Sequence, residues 1–355
     1  MNEEQVLYAR LQDLAKRAYR QNIYTYTGFL TPAELAAANP GCCGRLYADG
    51  TVEDDHFLPV IYELDDRTEW TDESCWVKAN PGLGTIKKLE TLRGFFAKAT
   101  QDPSFLPTFM TKDMDIPENK ASAWLRFDEA VNRETFDMGE MGFRYGVFGY
   151  DASDSVDLTA AKCLMMRPGD DHIYELSMYW LPEAALEERR KSGLRTTRDN
   201  VPYDLWAKQD LIRIVPGNKV DHRVVFEWMD EVRDELDVYP FALGYDPWHL
   251  TDDTWQERAR SYVGRKRLEE VRQGAKTLSA PMKQIRADLA AGRIVDNDNP
   301  INQWCRMNVS VQRDRNDNIL PCKGNGDHGR IDGFACELDA YIALTRHWDE
   351  YQASC

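Results

Sequence analysis

The sequence predicts an α/β domain preceded by a smaller, partly helical N-terminal segment. Three observations carry the prediction. Short aromatic or β-branched runs follow one another between Phe143 and Trp180, the pattern of a three-strand meander. Beyond Trp180, strand-like runs alternate with stretches whose apolar residues recur at helical spacing. The chain is 355 residues long, with 43% hydrophobic and 29% charged residues, enough apolar mass for a real core and length for about two domains.

The elements run in this order. Val6, Leu7, Leu11, Leu14 and Ala15 give residues 3–37 a helical period, broken at Thr31-Pro32. Residues 36–50 are small and glycine-containing, with Asn39-Pro40-Gly41 as a turn signal, so 1–50 reads as a helical segment of its own. A strand-like run covers 57–64, Asn80-Pro81-Gly82 marks a turn, and a helix is expected over 85–99. Residues 100–142, rich in Pro and Asp, read as an irregular connector that closes a second segment, 51–142. The third segment, 143–350, opens with strands at 143–150, 158–166 and 172–180. A helix at 182–191 and a strand or ordered arm at 211–215 follow. A helix over 221–237 carries Val224, Val225, Trp228, Met229, Val232 and Leu236 on one face. A strand at 239–245 and helices at 252–262, 279–291 and 331–348 complete the prediction.

Charge and reactive residues exclude several classes. Sixty Asp+Glu against 44 Lys+Arg give a net charge of −16 and a pI near 4.9, the opposite of a dedicated nucleic-acid coat protein. No stretch approaches the ~18 apolar residues of a membrane span, and Met1-Asn2-Glu3-Glu4 is no signal-peptide start, so cytoplasmic residence without a membrane partner is expected. The eight cysteines form no Cys-x-x-Cys pair and the six histidines no His-x-x-x-His pair, which argues against zinc. A hard-metal site built from carboxylates remains open.

Such a site has candidates. Asp151 and Asp246 each end a predicted strand, and Asp332 opens the final helix. Carboxylates gathered in this way repel unless cations neutralise them. Oxygen-only ligands favour Mg²⁺ or Mn²⁺, and two such ions suit phosphodiester cleavage. Each aspartate alone reads equally as a turn or cap residue.

The residues around these acids resemble a known family. Gly149-Tyr-Asp-Ala-Ser-Asp-Ser-Val-Asp-Leu-Thr-Ala160, Gly244-Tyr-Asp-Pro-Trp248, Val271-Arg-Gln-Gly-Ala-Lys-Thr-Leu-Ser-Ala-Pro281, Asn299-Pro300 with Trp304, Asn308-Val309 and Arg330-Ile-Asp-Gly333 stand in the order found in the large terminase subunit of tailed bacteriophages. Residues 57–66, Trp70-Thr71-Asp72, Trp76 and Lys78-Ala-Asn-Pro-Gly-Leu-Gly84 resemble the end of that family's ATPase domain and its linker. The resemblance implies a ribonuclease-H-like nuclease domain over 143–350, its mixed central sheet flanked by helices. It also implies endonucleolytic cutting of concatemeric viral DNA during packaging, in the cytoplasm of the bacterial host, with the portal protein and small terminase subunit as possible partners. Asp151, Asp246 and Asp332 then become catalytic ligands of two Mg²⁺ or Mn²⁺ ions, with Asp157 as a further ligand. Trp248 reads as a core or helix-start aromatic, and His249 has no partner spacing that suits a ligand or base.

The family's phosphate-cradling loop is not found. Gly82-Leu-Gly-Thr-Ile-Lys and Gly274-Ala-Lys-Thr both lack the first glycine at the required spacing, so ATPase activity is not expected of this chain alone. Two other readings stay open: an idle terminase remnant that docks in the packaging complex, and a ribonuclease-H-like resolvase or transposase.

Basic residues are concentrated locally. Between Gln256 and Ala290 nine Lys or Arg face four acids, a local +5. Arg265, Lys266, Arg267, Arg272, Lys276 and Lys283 are the double-stranded DNA contacts expected there, with Arg272 and Lys276 foremost. Arg189, Arg190, Lys191, Arg195 and Arg198 form a second basic group.

Overall fold

A computed structural model describes residues 62–102, 105–116, 123–153, 157–190, 201–248, 250, 252–323 and 330–355. The expected N-terminal helices and most of the strand-like run at 57–64 lie outside the described residues. The chain divides between Ala121 and Ser122 into two compact units.

In the first unit, helical turns at Arg67–Thr71 and Glu73–Cys75 lead into helices α1 (Trp76–Ala79), α2 (Leu89–Gln101) and α3 (Leu106–Asp113). Asp66 and Asp72 cap the two turns by accepting from the amides of Thr68 and Ser74. Leu64, Trp76, Leu92, Phe109, Met110 and Met114 form its core. Asn80 ties the turn to α3 by donating from Nδ2 to the Asp113 carbonyl at 2.6 Å.

The second unit begins with two single-turn helices, α4 (Phe127–Ala130) and α5 (Met138–Met141). With α3 they correct the expectation of an irregular 100–142. Each is short, and the Pro and Asp that suggested a connector sit at starts: Pro107 in the first turn of α3, Asp137 at the N-cap of α5. Strands β1 (Tyr145–Asp151), β2 (Thr159–Met165) and β3 (Ile173–Pro182) then form the expected antiparallel meander. Helices α6 (Glu183–Arg190) and α7 (Tyr203–Lys208) lead to β4 (Ile212–Val215), and α8 (Val224–Leu236) leads to β5 (Tyr239–Tyr245). Helix α9 (Asp253–Val263), strand β6 (Leu268–Glu270), helix α10 (Ala275–Ala290), strand β7 (Ile294–Val295) and helix α11 (Pro300–Met307) follow. A hairpin of β8 (Val309–Arg313) and β9 (Ile319–Lys323) precedes α12 (Asp332–Arg346) and α13 (Trp348–Gln352).

The main sheet has the order β4-β3-β2-β1-β5-β6, with β7 also pairing with β3. Strand β5 runs parallel to β1, and β6 parallel to β5, so the sheet is mixed. One face of the sheet, including Phe148, Tyr150, Leu243 and Tyr245, packs with Val225, Trp228, Met229 and Val232 of α8 and Trp255 of α9. Helix α12, buried along most of its length, covers the other face.

Candidate active site

Two copies of one tripeptide build the floor of the site. Gly149-Tyr150-Asp151 ends β1, and Gly244-Tyr245-Asp246 ends or directly follows β5. The parallel register sets Gly149 beside Gly244 and Tyr150 beside Tyr245, so Asp151 and Asp246 leave neighbouring strands at one level. Alternation along a strand places glycine and aspartate on one face and tyrosine on the other. Both tyrosines are buried and pack on Trp255, with ring centroids 5.8 and 5.1 Å away.

The glycine face receives α12. A β-carbon on Gly149 would stand 2.4 Å from the Cys336 carbonyl oxygen, and one on Gly244 only 2.0 Å from that of Asp339. Neither position has room for a side chain, so the helix backbone lies directly on the two strands. This close approach carries Asp332, the first residue of α12, to the end of the sheet where Asp151 and Asp246 emerge.

Electrostatics record the crowding. Burial, then the charges of Asp332 and Asp246, push the Asp151 carboxyl well above the usual carboxylate range, against an opposing pull from Lys323. Burial also raises Asp332, opposed by Lys323, Arg330 and the backbone N–H of Leu158. A further acid, Asp339, is completely buried two turns along α12. Burial and the charges of Asp151 and Asp246 raise it well above its ordinary value. Sequence reading missed Asp339 because it lies inside an apolar helix; its seven-residue spacing from Asp332, which returns to the same helix face, was the available signal.

The triad shares one electrostatic neighbourhood without closing to a common ligation distance. Among the described residues, the trio whose candidate ligand atoms all lie within 4.8 Å of one another is instead Asp170, Asp171 and His172. That trio stands at the other end of the sheet, beside the start of β3. Asp170 Oδ1 accepts from His172 N at 3.0 Å and sits 2.6 Å from His172 Nδ1, while Oδ2 accepts from Tyr174 at 2.7 Å and Arg167 at 2.9 Å. With its oxygens so occupied, it is a hydrogen-bonded turn.

The family model for the terminase large subunit, endonuclease domain, matches residues 51–347. The chain belongs to this terminase family. It is 27% identical over 304 residues to the large terminase subunit of Enterobacteria phage HK97, a match covering 84% of this chain and 56% of the relative. Protein YmfN of Escherichia coli (strain K12) is 24% identical over 301 residues, covering 80% of this chain and 62% of the relative. The chain thus spans little more than half the length of these relatives. The crystal structure of the HK97 bacteriophage large terminase superimposes with a TM-score of 0.50 at 24% identity, over 86% of this chain and 61% of that one. The fold of this terminase domain is ribonuclease-H-like.

The donor set suits a hard divalent cation. Asp332 Oδ2 and Asp339 Oδ2 are buried with no hydrogen-bond partner, and every candidate ligand in the neighbourhood is a carboxylate. Burial pushes the nearby Cys336 thiol well above its ordinary range, and its soft sulfur does not suit a hard cation.

Asp157 accepts from Lys323 Nζ at 2.8 Å and pairs with Arg330, so it holds two cations beside the candidate acids. Trp248 is 78% exposed, correcting the expectation of a core or helix-start aromatic; the Asp246 carboxylate fixes the loop by accepting from its backbone N–H at 3.0 Å. His249 lies outside the described residues. The basic stretch is split by β6. Arg272 and Lys276, both exposed, follow the end of β6 on the acid side, where neighbouring Gln273 touches Asp339. Lys283 is exposed farther along α10. Arg265, Lys266 and Arg267 precede β6, at its opposite end, and Arg267 is committed to Glu350 at 3.3 Å and to the Phe241 ring at 3.9 Å. Of the second basic group, Lys191, Arg195 and Arg198 lie outside the described residues, as do the side chains of Arg189 and Arg190.

Proposed function

We propose that the chain is a divalent-metal-dependent endodeoxyribonuclease that cuts concatemeric viral DNA during genome packaging in the host cytoplasm. The observation that carries this reading is the juxtaposition of Asp151, Asp246 and Asp332 by two glycine contacts, with Asp332 Oδ2 buried and left without a donor. These acids would hold two Mg²⁺ or Mn²⁺ ions, whose Lewis acidity serves to activate a water and to stabilise the departing 3′ oxygen. The protein's own part is to fix the carboxylates. Strand register sets Asp151 against Asp246, helix docking brings in Asp332, and Asp157 keeps Lys323 and Arg330 beside them. The portal protein and the small terminase subunit are the proposed protein partners, and ATP hydrolysis is not assigned to this chain.

Supercoiled plasmid incubated with the full chain and Mn²⁺ should be nicked and linearised, and EDTA should stop the reaction. Intact plasmid after prolonged incubation removes the reading. For DNA contact, Arg272 and Lys276 are the proposed phosphate ligands, with Lys283 an outer one. The double variant Arg272→Ala/Lys276→Ala should bind duplex more weakly, with the slope of log K against log salt reduced by about 2, roughly one per lost contact. An unchanged slope takes these residues out of the interface.

A further inference from the structure

We propose that Asp339 is a fourth carboxylate of the acid centre, contributing to cation binding beside Asp151 and Asp246. The inference rests on the metal-dependent reading above. Asp339 lies two turns beyond Asp332, so the two residues project from the same side of α12. That side is the one pressed against β5, since the Asp339 carbonyl oxygen occupies the place of a Gly244 β-carbon. Asp339 Oδ1 accepts from Gln273 Nε2 at 3.2 Å, and the backbone N–H of Asp246 also favours the charged carboxylate. Oδ2 is buried with no partner at all.

Orphaned oxygens are not general to this helix. Glu337, lying between the two aspartates, places Oε2 on Arg306 Nε at 2.9 Å and Oε1 on Arg306 Nη2 at 3.0 Å. The unpaired atoms of α12 are Asp332 Oδ2 and Asp339 Oδ2, both on the side that carries the acid centre. A buried carboxylate oxygen without a donor is costly, and more so among like charges. A purely structural side chain here would be better served by asparagine, which keeps an acceptor for Gln273 and brings no charge. A divalent cation reached by Oδ2, directly or through its water shell, supplies the missing positive partner.

The test is Mn²⁺ binding by the full chain, measured by calorimetry and by the thermal shift between EDTA and MnCl₂. Asp339→Asn should bind Mn²⁺ at least tenfold more weakly than wild type, while its Tm in EDTA stays equal or rises. Asp339→Ser, in which water can fill the vacated space, gives the same reading should the asparagine variant fail to fold. An unchanged Mn²⁺ affinity in the folded variants overturns the role of Asp339 and leaves the metal-dependent reading standing. Absence of Mn²⁺ binding by wild type overturns both. Asp170→Asn, at the other end of the sheet, should leave the affinity unchanged; loss of binding there places the ion on the wrong cluster and also overturns both.

Discussion

Replacing Asp151 by asparagine should lower Mn²⁺-dependent plasmid cleavage by about a thousandfold, some 4 kcal/mol of transition-state stabilisation. Asp151 is the acid of the triad that the charges of both Asp246 and Asp332 push up. An amide in its place keeps the shape and loses the charge that a cation needs. Stability should move the other way. The carboxyl is held well above the ordinary range by burial and by its two neighbours, so the folded chain binds this proton more tightly than the unfolded chain does. Its contribution to stability is therefore complete below the unfolded-state value and is lost as pH rises through the folded-state value. At neutral pH in EDTA, Asp151→Asn should melt at or above the wild-type Tm, and it should lose most of the stabilisation that Mn²⁺ gives wild type. Full cleavage by the variant excludes Asp151 from the centre. A Tm lowered by several degrees in EDTA assigns it a structural role instead.

Much of this site was legible in the sequence because its determinants are local. Gly-Tyr-Asp occurs at the ends of two strand-like runs, and period-2 alternation is enough to send each tyrosine to the core and each aspartate toward the opposite face. Strand β5 was bounded correctly at both ends for the same reason. What was not legible depends on elements too short to leave a period. Strand β6 has three residues, yet it decides that Arg272 and Lys276 flank the acids while Arg265 and Arg267 stand at its other end. Helix α10 begins at Ala275, one turn before the expected start at 279, because packing of Leu278, Met282 and Ile285 outweighs the missing N–H of Pro281 inside the helix. The β8–β9 hairpin turns on Asp314, whose side chain accepts from the amides of Asn316 and Asn318. No sequence pattern shows that this turn leads Lys323 back to Asp157.

A second large effect is expected far from the DNA, at Arg306. This side chain is completely buried, and its guanidinium serves three carboxylates: Asp296 at 2.7 Å, Glu337 at 2.9 Å and Glu175 at 3.2 Å. Lys162 pairs with Glu175 and lies 3.8 Å from Glu337, so two cations meet three acids in a space without water access. Asn302 donates to Glu175 at 2.7 Å and joins the network. The group joins β2, β3, α11 and α12, and Glu337 is the residue through which it grips the helix that carries Asp332. Arg306→Met should cost about 3–5 kcal/mol in urea unfolding, because three buried carboxylates are left with one lysine. Arg306→Lys should recover only part of this, since an ammonium cannot fork toward three partners. The deficit should also depend on pH. Burial holds Asp296 at about 6 even with Arg306 nearby, and losing that cation raises it further. The variant therefore gains more stability than wild type as pH falls through 6, and its deficit should be smaller at pH 5 than at pH 8. A loss below about 1 kcal/mol at pH 8 puts the effect in the range of an exposed ion pair and contradicts this account. If the loss is large and Asp151→Asn is as stable as wild type, the two acid groups beneath α12 have opposite roles. One is paired with two buried cations and holds the fold, while the other is left short of positive charge at the end of the sheet where the DNA is expected to sit.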